Sequence, residues 1–343
     1  MRSDGDTIKL PWCDTEPKRV AIGVDLGGTK IVAALVDATG AVQAKVRKET
    51  PANQGVSAVI KEICDAAREV MQAAGVGHQE VSGVGIGAAG MTDSRKGVVI
   101  LASNLQWKNV PLKRLVEERL GLPTFVDKDT NVAALGEQRC GAGQGVQHLL
   151  YVTVGTGVGG GIILNGEVYH GASEGAGEIG HIPLVPDGPR CGCGHDGCLE
   201  TLASGPAMAR RAMEAVRKGH RSHIVELAGG DVEAISAEII AEAARDGDAL
   251  AQEIFEIAGE YLGLGIAIYI NINNPQLVII GGGVAEAGDL LFNPIRETVR
   301  KRALPLSAET AKIVPAMLGE DAGVIGAAIL ALEAAARVEG DLT

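Results

Sequence analysis

The chain has 343 residues and a formal net charge of −12, with 46% hydrophobic residues, 3% aromatics and 48 glycines. That length suits two domains of ordinary size, and the composition fits an α/β protein with aliphatic cores and many tight turns. The acidic balance and the lack of a long basic run argue against a nucleic-acid groove or an anionic membrane surface, leaving small molecules as the expected partners.

Residues 1–19 read as a flexible polar tail, broken by Pro11 and Pro17, without the apolar run of a signal peptide. A cytoplasmic location is expected, so clustered cysteines point to metal rather than disulfides, while Cys13, Cys64 and Cys140 read as isolated thiols. Val20–Val24 reads as a buried strand, Asp25-Leu-Gly27-Gly28-Thr29-Lys30 as a polar turn, and Ile31–Val36 as a second strand. Joining two strands rather than opening a helix, this glycine turn excludes the Rossmann and Walker arrangements. A third strand over 42–46, a helix over 55–74 and a strand over 81–86 follow. Pro111–Leu120 is a predicted helix, Thr124–Val126 a short strand, and Asn131–Cys140 another helix.

The pattern then returns. Leu149–Val154 is a strand, Gly155-Thr156-Gly157 a polar turn, Gly160–Leu164 a strand, and Asn165-Gly166 a hairpin signal. Two strand–turn–strand units suggest a duplicated α/β fold with a cleft between its halves. Helices are expected over 207–217, 236–245, 250–269, 289–302 and 322–337, and strands over 277–280 and 313–315. No charge occurs from Tyr261 to Ala285, but Asn271, Asn273, Asn274 and Pro275 make this a buried helix, a turn and a buried strand rather than a membrane span. Residues 218–235 lack periodicity and read as a surface insertion.

Three stretches carry chemistry. The two glycine turns and Gly281-Gly282-Gly283 suit phosphate, because glycine lets main-chain N–H groups approach an anion; Thr29 and Thr156 add hydroxyls, and Asp25 suits Mg²⁺. Cys191, Cys193 and Cys198, with His181 ten residues before the first of them, satisfy a tetrahedral Zn²⁺ with no open position, hence a structural metal. Glu178 and Glu200 flank that knot and would be held rigid by it. Asp129 follows a strand and precedes a helix; such an Asp is either a helix cap or a general base for a hydroxyl attacking a γ-phosphate.

Asp25-Leu-Gly-Gly-Thr-Lys30, Gly155-Thr-Gly-Val-Gly-Gly-Gly161, Gly177-Glu-Ile-Gly-His181, the run Cys191–Glu200 and Ile280-Gly-Gly-Gly283 together resemble the ROK (repressor, open reading frame, kinase) family over residues 19–335. The resemblance implies an actin-like, hexokinase-type ATPase fold of the ribonuclease H-like class. It implies a small domain from 20–135 plus 326–343 and a large domain from 136–325 carrying the zinc. It also implies a hexose hydroxyl, glucose foremost, phosphorylated by ATP with Mg²⁺ by a homodimer or homotetramer. By position Asp129 would be the base, and Glu178, Glu200 and His181 would hold the sugar. Gly90, Ser103 and Gly157 would be further sugar contacts. The turns at Gly27–Lys30, Gly155–Gly157 and Gly281–Gly283 would hold the nucleotide. Two departures stand out: Lys128 replaces the family's common Asn before the catalytic Asp, and Gly87-Ala-Ala-Gly90 replaces Gly-Ala-Pro-Gly. Lys128 either enters the cleft as a sugar or phosphate contact or turns outward. Fructose and N-acetylmannosamine kinases share the architecture, and polyphosphate is an alternative donor. The family's sugar-responsive repressors need an N-terminal helix-turn-helix, for which residues 1–19 show no helical pattern.

Overall fold

The computed structural model describes residues 19–340; the expected tail, apart from Arg19, and Cys13 lie outside the described residues. The chain forms two compact units. The first comprises residues up to Gln147, Gly161–Ala176 and the chain from Met317; the second comprises His148–Gly160 and Gly177–Ala316.

The first unit opens with the antiparallel meander β1 (Val20–Leu26), β2 (Lys30–Asp37) and β3 (Val42–Glu49). Helix α1 (Val56–Ala74) leads to β4 (Val81–Ala88), parallel to β1. A small antiparallel sheet of β5 (Met91–Asp93), β6 (Val98–Ala102) and β7 (Trp107–Val110) follows. Then come α2 (Leu112–Leu120), β8 (Thr124–Lys128), parallel to β4, and α3 (Asp129–Cys140). The main sheet runs β3-β2-β1-β4-β8.

The remaining strands are β9 (Leu149–Val154), β10 (Val158–Leu164), β11 (Glu167–Val168), β12 (Leu277–Gly281) and β13 (Lys312–Pro315). Their order is β11-β10-β9-β12-β13. Renumbered from the first strand of each sheet, both read 3-2-1-4-5, with strands 4 and 5 parallel to strand 1 in each. The duplicated two-domain α/β fold is therefore present. The helices between β11 and β12 are α4 (Leu199–Ala203), α5 (Gly205–Arg217), α6 (Ile224–Leu227), α7 (Ala237–Arg245) and α8 (Ala249–Asn273). Helices α9 (Asp289–Arg302) and α10 (Pro305–Thr310) precede β13, and α11 (Ala322–Gly340) closes the described chain.

Strand periodicity sorts the first unit's core into two layers. Val20, Ile22 and Val24 of β1 pack with Ile60 and Ile63 of α1, while Ala21 joins Val324 and Ala328 of α11. The apolar stretch after Tyr261 is the end of α8, a left-handed Asn274 (φ 45°) and the fully buried β12. Among the described residues no helix is long and apolar enough to cross a membrane.

Several elements differ from the sequence reading. Residues 136–147 and 317–325, expected in the large domain, group with the first unit, as do 161–176. One tie among these segments is Glu137, fully buried on α3. Its carboxylate accepts from Ala142 N (2.8 Å) and Leu318 N (2.8 Å), pinning both segments to that helix. The stretch 218–235, expected as a surface insertion, is mostly exposed but is anchored by buried Ile224, Ala228 and Ile235 around α6. The sheet β5–β7 and the short helices α4 and α10 carry no sequence period long enough to show.

Candidate active site

In the first unit β1 delivers Asp25 to the glycine turn, which closes through Gly27 N donating to Lys30 O (3.0 Å). Thr50 braces the turn through its hydroxyl to Gly27 O (2.8 Å) and its N–H to Thr29 O (3.0 Å). A Cβ on Gly28 would lie 2.6 Å from the Cβ of Asn104, so this turn sits against the short 3-10 segment begun by Ser103. Burial pushes the Asp25 carboxyl above its ordinary range, with Lys30 pulling the other way. Among the described residues nothing hydrogen-bonds that carboxylate, which leaves it suited to a cation. Gly90 turns the chain at a φ of 107°, with Leu101 O 2.4 Å from where its Cβ would be.

Strand β8 ends at Lys128, the N-cap position of α3, and Asp129 is the first helical residue. Asp129 Oδ1 accepts from Thr130 N (2.7 Å), within the first turn of the helix. Lys128 is buried and donates from Nζ to Ala176 O (3.4 Å), so it turns inward.

In the second unit Gly155 N donates to Gly157 O (2.9 Å), and Gly205 N, opening α5, donates to Gly155 O (2.8 Å). Gly282 (φ 85°) lies against the end of β9, its Cβ position 2.4 Å from Val154 O. The Gly155 turn, the Gly281–Gly283 turn and the start of α5 thus meet, whereas Gly27–Lys30 belongs to the other unit. Glu200, in the first turn of α4, accepts from Val158 N (3.1 Å), and a Cβ on Gly157 would come within 2.5 Å of its Oε2. Glu178 occupies the N-cap position of the 3-10 turn Ile179–His181. That turn is pressed onto β10, since a Cβ on Gly180 would fall 1.9 Å from Val158 O.

His181, Cys191, Cys193 and Cys198 bring their ligand atoms within 4.8 Å of one another. Cys191 Sγ lies 3.6 Å from His181 Nδ1, and Cys193 Sγ lies 3.6 Å from Cys198 Sγ. Tetrahedral zinc bonds of about 2.0–2.3 Å give ligand edges of about 3.5–3.8 Å, so the donor set is compatible with a structural zinc site. Burial pushes the Cys198 thiol up to about 12, whereas the backbone and imidazole of His195 pull Cys193 down to about 6. A divalent cation would favour thiolate at every one of them. The second ring nitrogen of His181, Nε2, lies 4.0 Å from the Glu178 carboxylate.

The ROK family model matches residues 21–334. The chain belongs to the ROK family. Among ROK relatives, the chain is 40% identical over 306 residues to a glucokinase of Halalkalibacterium halodurans, covering 89% of this chain and 92% of that one. Among solved structures it is similar to a ROK glucokinase from Streptomyces griseus in complex with glucose and AMPPNP. The identity there is 39% and the TM-score 0.82, over 92% of this chain and 99% of the other. A ROK transcriptional regulator, a homologue of the Escherichia coli Mlc protein, gives a TM-score of 0.82 at 32% identity, over 92% and 78% of the two chains. The ROK backbone therefore serves both kinases and regulators, and side chains must decide between them.

One cluster escaped sequence reasoning. Asp127 Oδ2 pairs with His170 Nε2 at 2.7 Å, while Asp127 Oδ1 accepts from Lys128 N (2.7 Å) and Asn131 Nδ2 (2.8 Å). No spacing rule links residues 43 apart, so nothing local in the sequence marked the pair.

Proposed function

We propose that this ROK chain transfers the γ-phosphoryl group of ATP to a hydroxyl of glucose. The observation that carries the reading is its 39% identity, across 92% of its length, to the Streptomyces griseus glucokinase solved with glucose and AMPPNP. Asp129 accepts the hydroxyl proton, the sugar oxygen bonds to the γ-phosphorus, and the bridging P–O bond breaks to release ADP. Glu178 and Glu200 hold sugar hydroxyls, aided by the outer nitrogen of His181, and Gly90, Ser103, Lys128 and Gly157 add contacts. The glycine turns at 27–30, 155–157 and 281–283 cradle the phosphates, and Asp25 would hold Mg²⁺, which when bound would offset the charge that develops on the transferring phosphoryl group. His181, Cys191, Cys193 and Cys198 hold Zn²⁺, whose role is to fix Glu178 and Glu200.

The test is ADP release by purified protein offered glucose, mannose, fructose and N-acetylmannosamine, with ATP or polyphosphate as donor. Glucose with ATP is expected to give the highest kcat/KM. Turnover with none of the four sugars would leave the regulator reading standing instead.

A further inference from the structure

We propose that His170 is a positioning residue for phosphoryl transfer, holding the corner between β8 and α3 from which Asp129 projects. The inference rests on Asp129 being the base, and it concerns how that base is held.

The corner is organised by one carboxylate. Asp127 is buried, its side chain 5% exposed, and both its oxygens are engaged. Oδ1 reaches forward to the N–H of Lys128 and to the side chain of Asn131, bracketing Asp129 on either side. Oδ2 faces His170 Nε2 at 2.7 Å. The hydrogen bond to Asp127 raises the affinity of His170 for its second proton. Burial opposes this, Glu174 adds to it and Arg95 subtracts. His170 therefore supplies Asp127 with a donor, and with a counter-charge whenever its ring holds the second proton. Without it a buried carboxylate is one bond short in a low-dielectric site, which is costly enough to drive rearrangement. The atoms free to rearrange are those Oδ1 holds, namely the backbone at 128 and the first turn of α3.

The same segment shows why the effect should fall on turnover rather than on sugar affinity. Residues 170–176 close on themselves through Ala176 N to His170 O (3.1 Å). Their far end has tethers of its own. The Glu174 carboxylate accepts from the hydroxyl and N–H of Ser94 and pairs with Arg95 Nε (3.1 Å), and Lys128 Nζ donates to Ala176 O. None of these tethers uses the His170 side chain, so its removal leaves them in place up to Ala176. Only the end that touches Asp127 is released.

The experiment compares His170→Ala, His170→Gln, Asp127→Asn, the Ala/Asn double variant and Asp129→Asn in the full chain. Steady-state kinetics with glucose and Mg-ATP are scaled to the folded fraction measured by circular dichroism. A glutamine amide nitrogen reaches about as far as Nε2 and can donate to Asp127, restoring the bond without the charge. His170→Ala is expected to lower kcat about tenfold or more with glucose KM within about threefold, as a sub-ångström misplacement of a base would. His170→Gln should recover at least a third of the lost kcat. The double variant should be no slower than the slower single, because both break one link. A kcat within twofold of wild type for His170→Ala, or glutamine no better than alanine, overturns the positioning role. So does a KM rise matching the kcat fall. Should His170→Ala not fold, Asp127→Asn and His170→Gln decide on the same criteria. Asp129→Asn separates the two levels: if it is inactive while His170→Ala is not, only this inference fails. If it stays active, the base reading itself fails and the positioning role falls with it.

Discussion

Gly157→Ala tests how Glu200 is anchored, with Glu200→Gln separating that route from the sugar and phosphate contacts that Gly157 itself offers. The added methyl would sit 2.5 Å from Glu200 Oε2, and ordinary van der Waals contact begins at 3.4 Å. The carboxylate must therefore withdraw by roughly 0.9 Å, which a flexible side chain can do without disturbing the fold. Its hydrogen bond from Val158 N, now 3.1 Å, would then stretch beyond bonding range. A hydrogen bond to a charged group contributes about 1.5–3 kcal/mol, so loss of this anchor corresponds to about a 10- to 100-fold rise in glucose KM. Glucose KM and kcat are measured together with a thermal melt, for Gly157→Ala, Glu200→Gln and the double variant. If the methyl acts through Glu200, the double variant binds glucose no worse than Glu200→Gln alone. A glucose KM within twofold of wild type, or fully additive effects in the double variant, would refute the reasoning.

Other outcomes follow from the same geometry. Asp129→Asn should lower kcat by about 10²-fold or more while leaving glucose affinity by calorimetry and the melting temperature unchanged, since an amide keeps the shape but cannot take the proton. Protein purified without chelator should carry about one zinc per chain, and Cys198→Ser should lower metal content, melting temperature and glucose affinity together; metal below about half an equivalent would count against the site. The pair of His170 with Asp127 should also show in stability. The His170 pKa is raised above 6.5 on folding, with Asp127, Glu174 and Arg95 as the charged groups facing it. Its stabilisation is thus full below pH 6.5 and is lost as pH rises through the higher folded value, so the melting-temperature gap between wild type and His170→Gln should narrow from pH 6 to pH 9.

Much of this fold was legible because its signals are local. The strands flanking both glycine turns, the helix over 56–74 and the break at Asn274 all came from period, turn chemistry and apolar runs. The metal ligands were legible because three cysteines in eight residues leave few alternatives. What could not be read depends on partners distant in sequence. Lys128 is a departure whose direction the sequence left open. Only its carbonyl partner at Ala176, 48 residues away, shows that it turns inward. Glu137 reads as an ordinary polar residue on a helix, yet its carboxylate ties α3 to Ala142 and to Leu318, 181 residues away. Asp127 carried no local mark, because its partner His170 lies 43 residues away.

Glycine shows the same division between what packing requires and what packing leaves free. Helix α11 lies against β1, β4 and α3 at distances no side chain allows. A Cβ on Gly23 would fall 1.9 Å from Val324 O, one on Gly85 1.7 Å from Ala327 O, and one on Gly326 1.7 Å from Val132 O. These are backbone-on-backbone approaches, and they seat α3, with Asp129 at its start, against the last helix. Gly155 and Gly283 are the opposite case: neither has any atom within 4 Å of a Cβ position, and neither needs a left-handed φ. No close contact in the fold requires glycine there, whereas a phosphate approaching the main chain, as proposed, would. The two classes should separate on substitution. Gly85→Ala and Gly326→Ala must displace α11, at a cost of about 3 kcal/mol or more, which lowers the melting temperature by about 6–12 °C. Gly155→Ala and Gly283→Ala should melt within about 2 °C of wild type, since an added methyl meets nothing, and raise the KM for ATP about tenfold or more by holding phosphate off the N–H groups. Thermal melts and ATP titrations on all four variants check this. Unchanged ATP kinetics in the second pair would mean that these turns do not carry the nucleotide, whatever the first pair shows.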